Sequence, residues 1–322
     1  MPAFSLPQRR VTSSRMTFLK LALLYGAHVF WPFALLCLWA IFRARGVFRA
    51  IAATALILSL PLAWARFVEP RLLTVHEATI FLPGASATSP SIRIALFGDP
   101  HIGMFPNAMP VARIVEKINA QDVDAVFLAG DLTYHPKPED IPEDFAALAD
   151  LNAPLFAVLG NHDVGFPGEN LTEPLMRALQ AADARVVHNR ALEVEIAGNP
   201  VIVSGASDLW ERRQDFQFHV SLPEGVPVLL LTHNPDTALT VPDAFPYDLM
   251  LAGHTHGGQL RIPGIYQHIL PVQGPFDRAL HTFPTSAGDR LVYVTTGTGM
   301  TGVPMRFLIP PQIDVLTVHL PE

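Results

Sequence analysis

The 322 residues are half apolar and their mean hydropathy is +0.30, more apolar than a water-soluble enzyme requires; the length admits a membrane segment and one large globular domain. A formal net charge of −7 leaves no basic footprint for nucleic acid. The single cysteine, Cys37, excludes an intramolecular disulfide.

The apolar excess lies near the N-terminus. Leu21 to Phe42 carries no charge over 22 residues, and as a helix it is about 33 Å long, enough to cross a hydrocarbon core. A second run, Val47 to Ala65, has Arg49 as its only charge, close enough to one end to snorkel. Its charge-free part spans roughly 24 Å as a helix. These runs predict an anchor over residues 1–68, with spans at about 21–42 and 47–65 forming a hairpin; one span plus an interfacial or buried helix is the alternative. A hairpin sets Arg9, Arg10, Arg15, Lys20, Arg66 and Arg71 on one side against Arg43, Arg45 and Arg49. The positive-inside rule then puts the globular part on the cytoplasmic face of the inner membrane. A cleaved signal peptide is not expected, because the first apolar run is long and a second comes after it.

Residues 69–322 read as an α/β domain. Strands are predicted at Ser91–Phe97, Asp124–Ala129, Leu155–Leu159, Val201–Ser204, Val228–Leu231, Leu249–Ala252, Leu291–Thr295 and Ile313–His319. Amphipathic helices are predicted at Asn107–Ala120 and Thr172–Ala182, the second with Thr172 as a cap. Strands alternating with helices indicate sheets with helices on their faces.

The carboxyl ends of five of these strands are more specific. Ser91–Phe97 runs into Gly98-Asp99-Pro100-His101 and Asp124–Ala129 into Gly130-Asp131. Leu155–Leu159 runs into Gly160-Asn161-His162-Asp163, Val228–Leu231 into Thr232-His233-Asn234, and Leu249–Ala252 into Gly253-His254-Thr255-His256. In open α/β folds the ligand lies outside the carboxyl ends of the strands. A single Asp after a strand is ordinarily turn chemistry; five strands delivering acids, an amide and imidazoles at the same end are not. The other eight histidines have no such setting, with His135 and His268 closest in sequence to the motifs.

The set Asp-x-His, Gly-Asp, Gly-Asn-His-Asp, a lone His and Gly-His-x-His resembles the calcineurin-like metallophosphoesterase superfamily from about Ser91 to the C-terminus. Gly257-Gly258-Gln259 and the tail Thr298–Phe307 resemble a membrane-associated bacterial branch that includes enzymes cleaving UDP-2,3-diacylglucosamine in lipid A synthesis. Gln312 departs from that branch, which tends to have Glu there. The resemblance implies two mixed β-sheets packed as a sandwich with flanking helices. It also implies two divalent ions, one held by Asp99, His101, Asp131 and His256, the other by Asp131, Asn161, His233 and His254, with Asp131 bridging. The mixed nitrogen and oxygen set suits Mn, Fe, Zn or Co without choosing among them.

By the same resemblance, a hydroxide held between the ions attacks phosphorus in line. His162, beside the bound phosphate, is the general acid for the leaving oxygen, and Asp163 supports the loop. All seven expected ligands are present, whereas a non-catalytic scaffold of this fold would lack some. The expected substrate carries a phosphodiester or pyrophosphate and is membrane-associated, UDP-2,3-diacylglucosamine being the specific candidate; a broad phosphodiesterase or phosphatase acting on soluble substrates is the alternative. The segment from Trp210 to Phe218 is either an acyl-chain lid or a surface stretch packed on the sheet, and Arg261–Arg290 is a possible frame for the entrance. Asp208 is a further acid that lines the same cleft if its strand lies beside the others.

Overall fold

The structure is a computed structural model that describes Lys20 and residues 22–217, 222–285 and 288–321. Leu21, Phe218 and the basic residues Arg9, Arg10 and Arg15 lie outside the described residues.

Two segments, Ala22–Arg43 and Val47–Arg71, are long and apolar enough to cross a membrane. The first is helical from residue 22, through a short 3-10 turn at Ala27–Val29, into α1 (Phe30–Arg43). The second, α2 (Val47–Ala63), continues through a π turn at Trp64–Val68 and a 3-10 turn at Glu69–Arg71. It therefore outlasts the expected end at residue 65. Trp31, Leu35, Trp39, Phe42, Phe48, Ile51, Leu58 and Leu62 are all exposed. A core helix of a water-soluble fold buries such side chains, so this outward apolar surface suggests membrane association.

The remaining chain forms two six-stranded mixed sheets. The first contains β1 (Thr74–Phe81), β2 (Ser91–Phe97), β4 (Ala125–Ala129), β6 (Leu155–Val158), β7 (Arg185–Val186) and β14 (Gln312–His319), in the order β1-β14-β2-β4-β6-β7. The second contains β8 (Arg190–Ile196), β9 (Asn199–Gly205), β10 (Val228–Leu231), β11 (Leu249–Ala252), β12 (Ala279–Thr285) and β13 (Gly288–Val294), in the order β12-β13-β11-β10-β9-β8. Parallel pairing joins β2, β4 and β6 in one sheet and β9, β10, β11 and β13 in the other. Every strand that leads into a histidine or acid motif is thus interior to its sheet and ends on the same side as the other motif strands of that sheet. A two-residue pair, β3 (Ile102–Gly103) with β5 (Thr133–Tyr134), crosses just beyond those ends.

The period-two alternation of the strands decides which layer each residue enters. Ile94, Leu96, Phe127, Phe156 and Val158 face Val201, Val203, Leu229, Leu231, Leu249 and Leu251 in the cluster between the sheets. The intervening residues Ala95, Phe97, Val126, Leu128 and Ala157 face the helices α3 (Val111–Asn119) and α5 (Thr172–Ala181), which bury Val111, Ile114, Val115, Ile118, Leu175 and Leu179. Ile202, Leu230, Met250 and Val292 cover the outer face of the second sheet with Phe216, Phe245 and Phe276. A short helix, α4 (Ile141–Asp144), packs on α5.

Two helix boundaries differ from expectation for local reasons. The helix predicted from Asn107 starts at Val111, because Pro110 is extended and acts as its N-cap and the residue before a proline is steered out of the helical region. Thr172 is the first helical residue, not the cap; its backbone N–H donates to Asn170 Oδ1 at 3.0 Å. The strands β1, β8 and β12 are missing from the sequence prediction. Each lies on a sheet edge with exposed residues such as His76, Glu77, Glu193, Glu195 and Thr282 between less exposed ones, so none offers a continuous apolar run.

Candidate metal centre

The carboxyl ends of five strands converge at one place. β2 delivers Asp99 and His101, β4 delivers Asp131, and β6 delivers Asn161 and His162. From the second sheet, β10 delivers His233 and β11 delivers His254 and His256. Two triads form, Asp99–His101–His256 and Asp131–His233–His254, each with ligand-type atoms within 4.8 Å of one another. All seven expected ligands are buried, and His162 alone is half-exposed.

Asp131 lies between the triads. Its Oδ2 is 3.6 Å from His101 Nε2 and 3.2 Å from His233 Nε2. His101 Nε2 is 3.0 Å from His256 Nε2, and His233 Nε2 is 2.9 Å from His254 Nδ1 and 3.1 Å from Asn161 Oδ1. The opposite ring nitrogens fix these orientations: His101 Nδ1 pairs with Thr133 O at 3.2 Å and His233 Nδ1 with Ala129 O at 2.8 Å. A backbone carbonyl on one ring nitrogen sets the tautomer that presents a lone pair from the other. His254 Nε2 is buried without a hydrogen-bond partner. Converging imidazole and carboxylate donors, with one carboxylate shared, fit a pair of first-row divalent ions.

The backbone pays strain to aim these groups. Asp99, His101, Asp131, His254 and His256 all have φ between 49° and 73°, the left-handed region that non-glycine residues rarely enter. The glycines beside them permit close approach. A Cβ on Gly160 would stand 2.2 Å from Asp131 Oδ1, and one on Gly253 would stand 2.6 Å from Asp99 Oδ2.

Burial pushes His101 and His254 down to about 3 and His256 well below its ordinary value, so all three are neutral donors at pH 7. Burial opposes charge on His233 too, but the Asp131 carboxylate outweighs it and holds that imidazole up to about 10. Asp131 is driven low in return, the charges of His233 and His162 overcoming its burial. A ligand must shed its proton to bind a cation. Below pH 10 the metal-free His233 is protonated, so raising the pH removes a competitor. Metal affinity should therefore rise by up to about tenfold per pH unit between about 7 and 9, with proton uptake by buffer seen in calorimetric titrations. An affinity unchanged across that range would show that His233 carries no proton to displace.

Asp163 accepts from Leu132 N, Thr133 N, Thr133 Oγ1 and Gly160 N at 2.9–3.0 Å. It fastens the turns that carry Asp131 and Asn161, as expected of a loop support. Asp208 is also in the cleft: it is buried, its Oδ1 accepts from Trp210 N at 2.8 Å, and its Oδ2 has no partner. Trp210 stands edge-on to His254, ring centres 5.0 Å apart, while Phe216 is buried against Phe245. The Trp210 segment therefore packs on the sheet and walls the site with one ring. His268 is exposed in a 3-10 turn, and His135 stands edge-on to Tyr134, ring centres 4.9 Å apart.

Sequence reasoning gave no role to Arg306 or Tyr134. Arg306 is wholly buried; its guanidinium donates to Gly299 O, Thr296 O and Gly297 O and lies 3.3 Å from His256 Nδ1. The only signal was a lone arginine in an otherwise uncharged stretch of the tail. The Tyr134 ring stands edge-on to His101 and His162, at 5.4 Å and 5.1 Å.

The family model for calcineurin-like phosphoesterases matches residues 92–258, which hold both triads. The uncharacterized metallophosphoesterase YkuE of Bacillus subtilis (strain 168) is 31% identical over 283 residues, 85% of this chain and 95% of YkuE. Phosphodiesterase YaeI of Escherichia coli (strain K12) is 30% identical over 285 residues, 84% of this chain and 97% of YaeI. With the sandwich of sheets, the two donor clusters and relatives that match almost end to end, the chain belongs to the calcineurin-like phosphoesterases, metal-dependent phosphoester hydrolases that use two divalent ions.

Proposed function

We propose that this chain is a membrane-anchored hydrolase of phosphodiester or pyrophosphate bonds, with residues 1–68 as anchor and 69–322 as catalytic domain. The observation that carries this reading is the Asp131 carboxylate between two donor clusters. Asp99, His101, Asp131 and His256 hold one ion; Asp131, Asn161, His233 and His254 hold the other. When bound, the ions activate water and neutralise charge developing at phosphorus. His162 is the general acid. Its backbone N–H donates to Asp131 Oδ1 at 2.9 Å, so the shared carboxylate also sets the position of the proton donor. Burial lowers the His162 pKa in the free protein, and a phosphate anion beside it favours the protonated form. Trp210 and Tyr134 flank the centre and keep bulk water off the imidazoles.

The anchor holds this centre beside the bilayer, which favours a substrate with both an acyl tail and a phosphate. UDP-2,3-diacylglucosamine, cleaved to the lipid monophosphate and UMP on the cytoplasmic face of the inner membrane, is the specific candidate. Supporting it are the resemblance in the Gly-His-x-His-Gly-Gly-Gln and tail motifs and the six-to-three basic asymmetry about the hairpin. The second reading is a broader phosphodiesterase, favoured by the relative named Phosphodiesterase YaeI. The test compares the full-length protein on UDP-2,3-diacylglucosamine, its deacylated analogue and a chromogenic diester, with a reporter fused after Glu322 to fix sidedness. We expect the acylated nucleotide to be favoured by about tenfold or more in kcat/KM, the reach of a few buried methylenes. Soluble diesters turning over while the acylated nucleotide is untouched, or a reporter active only outside the inner membrane, would overturn the lipid reading and leave the broader one.

A further inference from the structure

Lys20 is helical, at the start of the first anchor helix, where a lysine ordinarily snorkels to water. Here it is turned inward and is only 9% exposed. Its ammonium donates to Tyr134 Oη and lies 4.5 Å from the centre of that ring. Leu24, one helical turn on, is buried among Phe105, Tyr134 and Met300, and Arg66 Nη2 donates to Leu24 O at 3.3 Å. The start of one anchor helix is therefore clamped between the end of the other and the wall of the metal centre.

Three features give this placement chemical meaning. An ammonium has three donors, and among the described residues only Tyr134 Oη accepts from it, with no carboxylate within 4 Å. A buried cation without a counter-charge is unfavourable until an anion arrives. Lys20 connects to the donor clusters through the ring of Tyr134, which it contacts, and the ring of His162, edge-on to Tyr134 at 5.1 Å. The phosphorus under attack lies at the clusters and the leaving group lies on the His162 side, so whatever reaches Lys20 is the next group beyond the scissile bond.

We propose that Lys20 binds a second phosphate of the substrate, making the anchor part of the active site and the preferred substrate class a pyrophosphate-bridged molecule. The inference rests on the proposed roles of the metal centre and His162, and it favours the anhydride over the simple diester. A lone diester has no anion to place at Lys20; a diphosphate has one at the required side. Lys20→Met keeps an unbranched side chain of similar length while removing the charge.

The test uses the full-length protein hydrolysing a chromogenic diester, with metal in excess and UDP or UMP as competing inhibitor. In Lys20→Met, inhibition by UDP should weaken by about tenfold or more, the cost of a lost charge-assisted contact, and by UMP several-fold less. Lys20→Arg should keep the wild-type preference for UDP. Lys20→Gln gives the same reading should the methionine variant not fold. Equal weakening of both inhibitors, or no change in either, overturns the proposal. If UDP selectivity depends on Lys20 yet UDP-2,3-diacylglucosamine is not cleaved, the named lipid is wrong and the second phosphate site stands. If the lipid is cleaved and the selectivity ignores Lys20, the reverse holds.

Discussion

Asp131→Ala should deplete the protein of bound ions and cripple hydrolysis together. Its Oδ2 is the one carboxylate oxygen facing an imidazole of each triad, and its Oδ1 accepts from the backbone of His162. Removing it also takes from His233 the carboxylate that does most to hold its proton. Losing the electrostatic stabilisation of two cations is worth several kcal/mol in the transition state, a fall in kcat/KM on the order of 1,000-fold or more. Metal analysis of the purified variant is the decisive measurement. Wild-type protein should hold two ions per chain and Asp131→Ala should hold substantially fewer; a variant that keeps both would refute a shared ligand. His254→Ala should be milder in metal content, because it leaves the Asp99 triad whole.

His162→Ala is the complementary case, with metals retained and turnover lost. The side chain touches both His101 and Tyr134 by ring edges and makes no close contact with an acidic oxygen, so its removal leaves each triad complete. General acid catalysis contributes roughly 100-fold or more, and that is the drop expected for an alkoxide leaving group. For a nitrophenolate, which departs without a proton, the loss should shrink towards unity. Equal losses for the two leaving groups would mean that His162 shapes the loop instead of donating a proton.

The centre of the fold and the chemistry-bearing residues were legible because both rest on local rules. β2, β4, β6, β10 and β11 are short apolar runs terminated by glycine or threonine, and a buried parallel strand has no other appearance. Their end residues could be read as one cluster because parallel neighbours deliver their carboxyl ends to one side. Edge strands escaped for the opposite reason: β8, with Glu193 and Glu195 exposed, alternates as a solvent-facing turn region also does. Arg306 and Lys20 escaped because their significance is tertiary. Lys20 in sequence is one of several basic residues beside an apolar run, and only packing against Tyr134 distinguishes it. Arg306 is an arginine in a glycine-rich tail until that tail folds over His256. The helix start at Val111 was displaced by proline sterics, and Thr172 starts its helix as expected but inside it and not as the cap, details below the resolution of hydrophobic periodicity.

Arg306 has a second attachment. Its backbone N–H donates to Ala65 O at 2.9 Å, inside the π turn that follows the second apolar helix. A few residues on, Glu69 Oε1 accepts from Ile309 N. One residue thus holds the exit of the helix by its main chain and an imidazole of the metal centre by its side chain. A chain begun at residue 69 would retain every proposed ligand yet leave the Arg306 amide without its acceptor, in a place where water does not readily replace it. Excising the soluble part for crystallisation or assay would thereby loosen the mount of His256, and the cut is better placed upstream of Trp64, with the π turn retained as a plug.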